Sequence, residues 1–129
     1  MSFFKSIFSS SDDKDSNESK INWTELTDLG QLNEIIATSI EKPVVIFKHS
    51  TRCSVSRMAL KQFENEFDSR DKVTPYFLDL IAHRNISNAI AHHFGVTHQS
   101  PQLILIKDGK AIYNVSHSDI DAGELKAKV

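Results

Sequence analysis

Two short runs, Val44-Val45-Ile46-Phe47 and Leu103-Ile104-Leu105-Ile106, restrict the possible folds most sharply. Each is a continuous apolar stretch, rich in β-branched residues and with no polar alternation. Such a run is too short for a helix and reads as a strand covered on both faces. A strand of that kind needs helices on both sides of its sheet, and the intervening segments have helical spacing. Leu32, Ile35, Ile36, Ser39 and Ile40 form one stripe, stopped by Glu41-Lys42-Pro43. Val55, Met58, Ala59, Phe63 and Phe67 form a second, with Lys61, Gln62, Glu64 and Glu66 off it. Val73 to Leu80 reads as another strand, with Pro75 near its start, where a missing N–H is tolerated. Ile86, Ala89, Ile90, His93 and Phe94 make a third helix, which Gly95 closes in the left-handed conformation. Lys107-Asp108-Gly109-Lys110 turns the chain, because Asp-Gly accepts positive φ, and Ala111 to Val115 returns antiparallel. Ser118 or Asp119 is expected to cap a last helix carrying Ile120 and Leu125. The predicted order is α-β-α-β-α-β-β-α, an α/β fold. Its central mixed sheet has four or five strands, helices on both faces and a right-handed crossover between its parallel strands. There is no internal repeat.

The pattern begins at Ile21. Before it, Phe3, Phe4, Ile7 and Phe8 could form one amphipathic turn, but Lys5 interrupts the run and a Ser/Asp-rich stretch follows. That stretch cannot bury enough apolar surface to offset its ordering entropy. Residues 1–20 are therefore expected to be a flexible tail and residues 21–129 the folded domain. The opening lacks the organisation of a secretory signal, and no run approaches the roughly 18 apolar residues of a membrane span. Fifteen Lys+Arg against seventeen Asp+Glu leave a net charge of −2, which argues against nucleic acid as the main partner. The chain has one cysteine. That excludes an internal disulfide and any cluster of several thiolates, and it suits the reducing cytoplasm.

Cys53 lies in Phe47-Lys48-His49-Ser50-Thr51-Arg52-Cys53-Ser54-Val55-Ser56-Arg57-Met58, between the end of a buried strand and the start of a helical stripe. This is the end of an α/β sheet at which ligands bind. The free N–H groups and the positive dipole end of a helix N-terminus stabilise an anion. A thiolate is such an anion, and Lys48, Arg52, Arg57 and His49 add cationic groups nearby. A lone Cys is commonly a small buried hydrophobe, but Thr51, Arg52, Ser54 and Ser56 are not the neighbours of a core position. Cys53 is therefore the candidate nucleophile. His49 sits across the strand–loop junction from it. His83, His92, His93, His98 and His117 lack companions at zinc-ligand spacing and are expected on the surface or at helix ends, so no metal site is expected. Asp79 is placed to cap its strand.

Cys53-Ser54-Val55-Ser56 resembles the Cys-x-x-Cys motif of the thioredoxin superfamily, with Ser56 in place of the second, resolving Cys. Ser100-Pro101-Gln102 through Lys107-Asp108-Gly109-Lys110 is similar to the thioredoxin segment in which a cis-proline precedes a strand and a Lys-Asp-Gly hairpin follows. Phe47 to Cys53, then Ser56 to Leu60, with Trp23 near the domain start, resemble the monothiol bacilliredoxins (the bacillithiol-system, YtxJ-like family). Ser54 departs from that family's usual Pro after the Cys. The resemblance covers roughly Ile21 to Val129 and implies a thioredoxin-like fold with a cis Pro101 facing the reactive Cys. It further implies a thiol-disulfide oxidoreductase in cytoplasmic redox homeostasis, removing bacillithiol from bacillithiolated client proteins.

On that resemblance Cys53 is the catalytic residue, and Thr51, Arg52, Ser54, Val55 and Ser56 are its active-site neighbours. Arg57, Ser100 and Pro101 are expected to bind substrate. Arg52 and Arg57 would suit the malate carboxylates of bacillithiol. Ser56 Oγ or the helix N–H groups would donate to the thiolate. With one sulfur, the protein can only become a mixed disulfide itself. Bacillithiol is then a co-substrate, no cofactor is bound, and a separate flavin-dependent reductase recycles bacillithiol disulfide. Two other readings compete. One is an iron–sulfur or metal carrier of the monothiol-glutaredoxin kind, and the other is a non-catalytic thioredoxin-like adaptor.

Overall fold

A computed structural model describes residues 21–68 and 71–129. The proposed tail, residues 1–20, lies outside the described residues. The elements in chain order are β1 (Thr24–Glu25), α1 (Gln31–Glu41), β2 (Val44–His49), α2 (Ser54–Glu66), β3 (Thr74–Asp79), α3 (Arg84–Phe94), β4 (Gln102–Lys107) and β5 (Lys110–Ser116). A 3₁₀ turn (His117–Asp119) and α4 (Ala122–Lys126) follow. The strands form one mixed sheet in the order β1-β3-β2-β4-β5. β2 runs parallel to β3, β3 parallel to β1, and β4 antiparallel to both β2 and β5.

The two apolar runs are the centre of this sheet, and every residue of β2 is buried. Side chains alternate across a strand, so β2 divides its residues between two cores. Val45 and Phe47 pack with Phe63, Phe67, Leu103, Leu105, Ile120 and Leu125, beneath α2 and α4. Val44 and Ile46 pack with Leu78, Ile86, Ile90, Ile104 and Ile106, on the opposite face with α3. Trp23 closes the α2 side, with its ring centroid 6.0 Å from that of Phe47 and 5.8 Å from that of Phe77, and its Nε1–H donating to Glu64 Oε2 at 2.7 Å.

The local stop signals act as expected. Gly95 ends α3 at φ 66°. Asp108 (φ 53°) and Gly109 (φ 76°) turn the β4–β5 hairpin. Buried Ser39 holds that turn against α1, its carbonyl accepting Asp108 N–H at 2.9 Å and its hydroxyl accepting Gly109 N–H at 2.8 Å. Asp79 accepts the N–H of Ile81 at 3.1 Å, as expected of a residue closing its strand.

Four details differ from the sequence reading. β1 was not anticipated, being two exposed residues whose pairing comes wholly from β3. The stripe of α2 is rotated: Val55 is 48% and Met58 72% exposed, while Ser56 is fully buried beside Phe63. Ile40 is likewise turned outward from α1, next to buried Ser39. Asp121 caps α4, accepting Gly123 N–H at 2.7 Å. Ser118 and Asp119 instead belong to the preceding 3₁₀ turn.

Candidate active site

Cys53 is the N-cap of α2, with extended backbone (φ −110°, ψ 122°), and its residue is half-buried. Its N–H donates to Ser50 O at 3.2 Å and its carbonyl accepts Arg57 N–H at 3.1 Å, so Ser50 to Cys53 form a tight turn running into the helix. The thiol makes no capping hydrogen bond. The first N–H groups of α2 have no intrahelical acceptors, and the first turn holds no acidic side chain. Thr51, Arg52, Ser54, Val55 and Arg57 are all exposed around the cysteine. Arg57 folds back over the turn, donating from Nη1 to Thr51 O at 3.1 Å and leaving its other donors to solvent.

Two of the expected neighbours have other roles. Ser56 does not reach the thiol. It is fully buried, accepts Ser50 N–H at 3.0 Å and lies 2.8 Å from His49 Nδ1. Lys48, expected to add positive charge near Cys53, is also fully buried and reaches the α3 side instead. Its Nζ donates to Ser87 O and contacts His98 Nδ1, each at 3.3 Å. Burial pushes the Lys48 ammonium down to about 8. His98 is exposed, as expected of a surface residue, yet its imidazole is held low by partial desolvation, then by the charges of Lys48 and Arg84. Its Nδ1 also lies 3.2 Å from Ser87 Oγ. His49 is held low chiefly by burial, with Arg57 acting in the same direction and Asp79 and Glu64 opposing.

The Ser100–Pro101 peptide is cis, as the resemblance implied. Pro101 immediately precedes β4, whose Gln102 is in register with Lys48 near the end of β2. The proline loop and the Cys53 turn therefore leave the same end of the sheet. Pro101 O accepts His117 N–H at 2.9 Å. Gln102, fully buried, holds the loop from below: Nε2 donates to Thr97 O at 2.9 Å and Oε1 accepts Gln99 N–H at 3.4 Å. Ser100 Oγ is buried, with no hydrogen-bond partner among the described residues. A groove of about 270 Å³ lies along α2, lined by Val55, Met58, Ala59, Gln62, His117, Ser118 and Ile120. Exposed Val55 and Met58 make it apolar next to the cysteine.

The buried roles of Lys48, His49, Ser56 and Gln102 were missed, because polar residues in a sequence carry no mark of burial. Only Lys48 and His49 directly following a buried run hinted at it. Among the described residues, no group of three or more His, Cys, Asp or Glu side chains could hold a metal ion. No helix there is long and apolar enough to cross a membrane.

Residues 24–125 match the family model for the monothiol bacilliredoxin BrxC. The chain belongs to the monothiol bacilliredoxin family. Solved structures agree on the fold. A candidate oxidoreductase with a thioredoxin fold is 31% identical, covering 80% of this chain and 89% of its own, with a TM-score of 0.70. The thioredoxin of Malassezia sympodialis (22% identity, 86% and 90% coverage, TM-score 0.66) and that of Nicotiana alata (18% identity, 87% and 93% coverage, TM-score 0.66) share the architecture. This bacilliredoxin is thus a thioredoxin-fold protein of thiol redox chemistry, with Ser56 at the position where a thioredoxin-type motif has its second cysteine.

Proposed function

We propose that the chain removes bacillithiol from protein mixed disulfides, with Cys53 as the nucleophile. The observation that carries this reading is the half-exposed single cysteine at the N-terminus of α2, beside a cis-proline loop. The Cys53 thiolate attacks the bacillithiol sulfur of a modified client. A bond forms between Cys53 Sγ and that sulfur, the client–bacillithiol disulfide breaks, and the client thiolate leaves and takes up a proton. A second bacillithiol thiolate then attacks the sulfur carried on Cys53, releasing bacillithiol disulfide and restoring Cys53. Each cycle consumes one free bacillithiol, whose sulfur is oxidised to the disulfide level as the client sulfur returns to the thiol. The other half of the bacillithiol disulfide is the molecule removed from the client, and a separate flavin-dependent reductase returns that disulfide to two thiols.

Thr51, Ser54 and Val55 flank Cys53 on the turn and at the start of α2. Arg52 and Arg57, exposed beside a helix start free of acidic residues, suit the malate carboxylates of bacillithiol. The backbone before Pro101 offers an edge to an extended client chain, and the groove at Val55 and Met58 accepts client side chains. At about 270 Å³ it falls just below the range of small-molecule sites, which suits side chains better than a whole ligand. On this reading the protein works in the cytoplasm and needs no bound cofactor.

Intact-mass analysis after incubation with a bacillithiolated client tests the proposal. The expected result is one bacillithiol added to Cys53, with release of reduced client, and no transfer in Cys53→Ser. A Cys53→Ser protein that still strips the client would refute it.

A further inference from the structure

Ser56 stands three residues after the thiol, and its buried hydroxyl is engaged at the base of the turn that carries Cys53. His49 is the last residue of β2, Ser50 opens the turn, and Ser56 lies in the first turn of α2. One hydroxyl therefore joins both ends of the turn. A hydroxyl has one hydrogen and two lone pairs. Ser50 N–H takes one lone pair, and the sole remaining partner among the described residues is His49 Nδ1. Buried hydrogens find acceptors, so the Ser56 hydrogen goes to Nδ1. Nδ1 is then unprotonated, and the ring proton of neutral His49 is on Nε2. Adding a proton to this ring turns Nδ1 from acceptor into donor, and the Ser56 hydrogen loses its acceptor.

We propose that His49 is a positioning residue for Cys53, acting through Ser56: the neutral imidazole holds the turn that presents the sulfur by accepting from Ser56, and protonation reverses that bond, leaving the buried Ser56 hydrogen without an acceptor and the turn less firmly held. The idea rests on the reading of Cys53 as the reactive group. The surroundings favour the neutral ring. Desolvation dominates and Arg57 of α2 adds to it, outweighing Asp79 at the end of β3 and Glu64 of α2. The Phe77 ring of β3 packs on the imidazole at 5.5 Å between centroids, and the turn itself carries Arg52 and Cys53. Thiol exchange should therefore carry, besides its need for the thiolate, a second pH dependence that belongs to His49.

The test is the rate of Cys53 alkylation by iodoacetamide between about pH 5 and pH 9 in the full chain. A nearby histidine resonance followed by NMR identifies the second titration. The expected wild-type profile has two steps, the lower coinciding with His49. Ser56→Ala should lose the lower step and react about two- to tenfold more slowly on the thiolate plateau, the worth of one hydrogen bond. His49→Ala should behave likewise. His49→Gln offers a non-titrating oxygen to the same hydroxyl, and should regain the plateau rate without the lower step. Thermal melts exclude a folding defect, and His49→Gln keeps the test open if an alanine variant fails to fold. A lower step that survives in both Ser56→Ala and His49→Gln overturns the proposal. Alkylation needs no bacillithiol, so the outcome is separate from the client assay. A two-step profile with no bacillithiol transfer would sink the proposed function and leave the positioning role standing.

Discussion

Replacing Lys48 with Met probes the least comfortable charge in the fold. Lys48 is fully buried in a central strand and has a backbone carbonyl and an imidazole nitrogen as partners. No carboxylate forms an ion pair with it among the described residues. Its ammonium is pushed from 10.5 down to about 8 by desolvation alone. The unfolded chain therefore binds the proton more tightly than the folded one. Stability must rise with pH from about 8 to about 10.5, by about 3 kcal/mol over the full window. Between about pH 7 and about pH 9.5 the gain is about 2 kcal/mol. At pH 7 the effect of Lys48→Met mixes two opposing changes, relief of a buried charge and loss of two hydrogen bonds, so its size there decides little. The difference between the two proteins above neutral pH is diagnostic, because other titrations cancel in it save that of His98, which Lys48 holds low and which falls below this window. Urea unfolding of both proteins at a series of pH values measures it. Wild type should gain about 2 kcal/mol on the variant between neutral and alkaline pH. A difference flat to within about 0.5 kcal/mol would falsify the assignment of an uncompensated ammonium at this position.

Phe63 is 2% exposed and its ring lies 5.0 Å from that of Phe67 and 5.8 Å from that of Phe47. Phe63→Ala should cost about 3–5 kcal/mol in urea unfolding, and a loss of about 1 kcal/mol would mean that the α2 face is not packed as described. Gly95→Ala meets no atom within 4 Å but must hold φ at +66°. It should lower stability by about 1 kcal/mol, with Gly95→Asn losing less, and an unchanged urea midpoint for Ala would contradict the left-handed cap.

The parts of this molecule that could be read beforehand are those settled over a few residues. Val44 to Phe47 and Leu103 to Ile106 have no other stable use than as central strands. Gly95 and Asp108-Gly109 declare their backbone angles, and Cys53 falls at a helix start because a strand ends and an amphipathic stripe begins on either side of it. What escaped depends on partners distant in the chain. Thr24 and Glu25 are a strand only because β3 offers an open edge. The rotation of α2 was unreadable because Ser56 looks like a surface residue until His49 and Ser50 meet its hydroxyl. That one hydrogen-bonded serine turns Val55 and Met58 outward, and they in turn line the groove beside the thiol.

Lys48 and His49 are consecutive in β2, so their side chains leave opposite faces of the sheet. Each runs to a loop at the same end. His49 joins Ser56 and Ser50 under the cysteine turn. Lys48 holds His98 and Ser87, while Gln102, its register partner, holds Thr97 and Gln99 under the cis-proline loop. Buried polar groups of this kind seldom add net stability over an apolar replacement, and for Lys48 the burial is a cost. Thiol exchange asks little of a protein beyond a thiolate and accurate placement of the disulfide it attacks. A site with one sulfur has no second cysteine to limit its geometry. On the proposed mechanism, the polar pair at the end of β2 supplies that limit instead, fixing one loop from each face of the sheet. The two loops should therefore loosen independently: Ser56→Ala should raise amide exchange at Ser50 to Cys53 and leave Thr97 to Gln99 unchanged, whereas Lys48→Met should do the reverse. Joint loosening in either variant would mean that the two loops form a single cooperative unit.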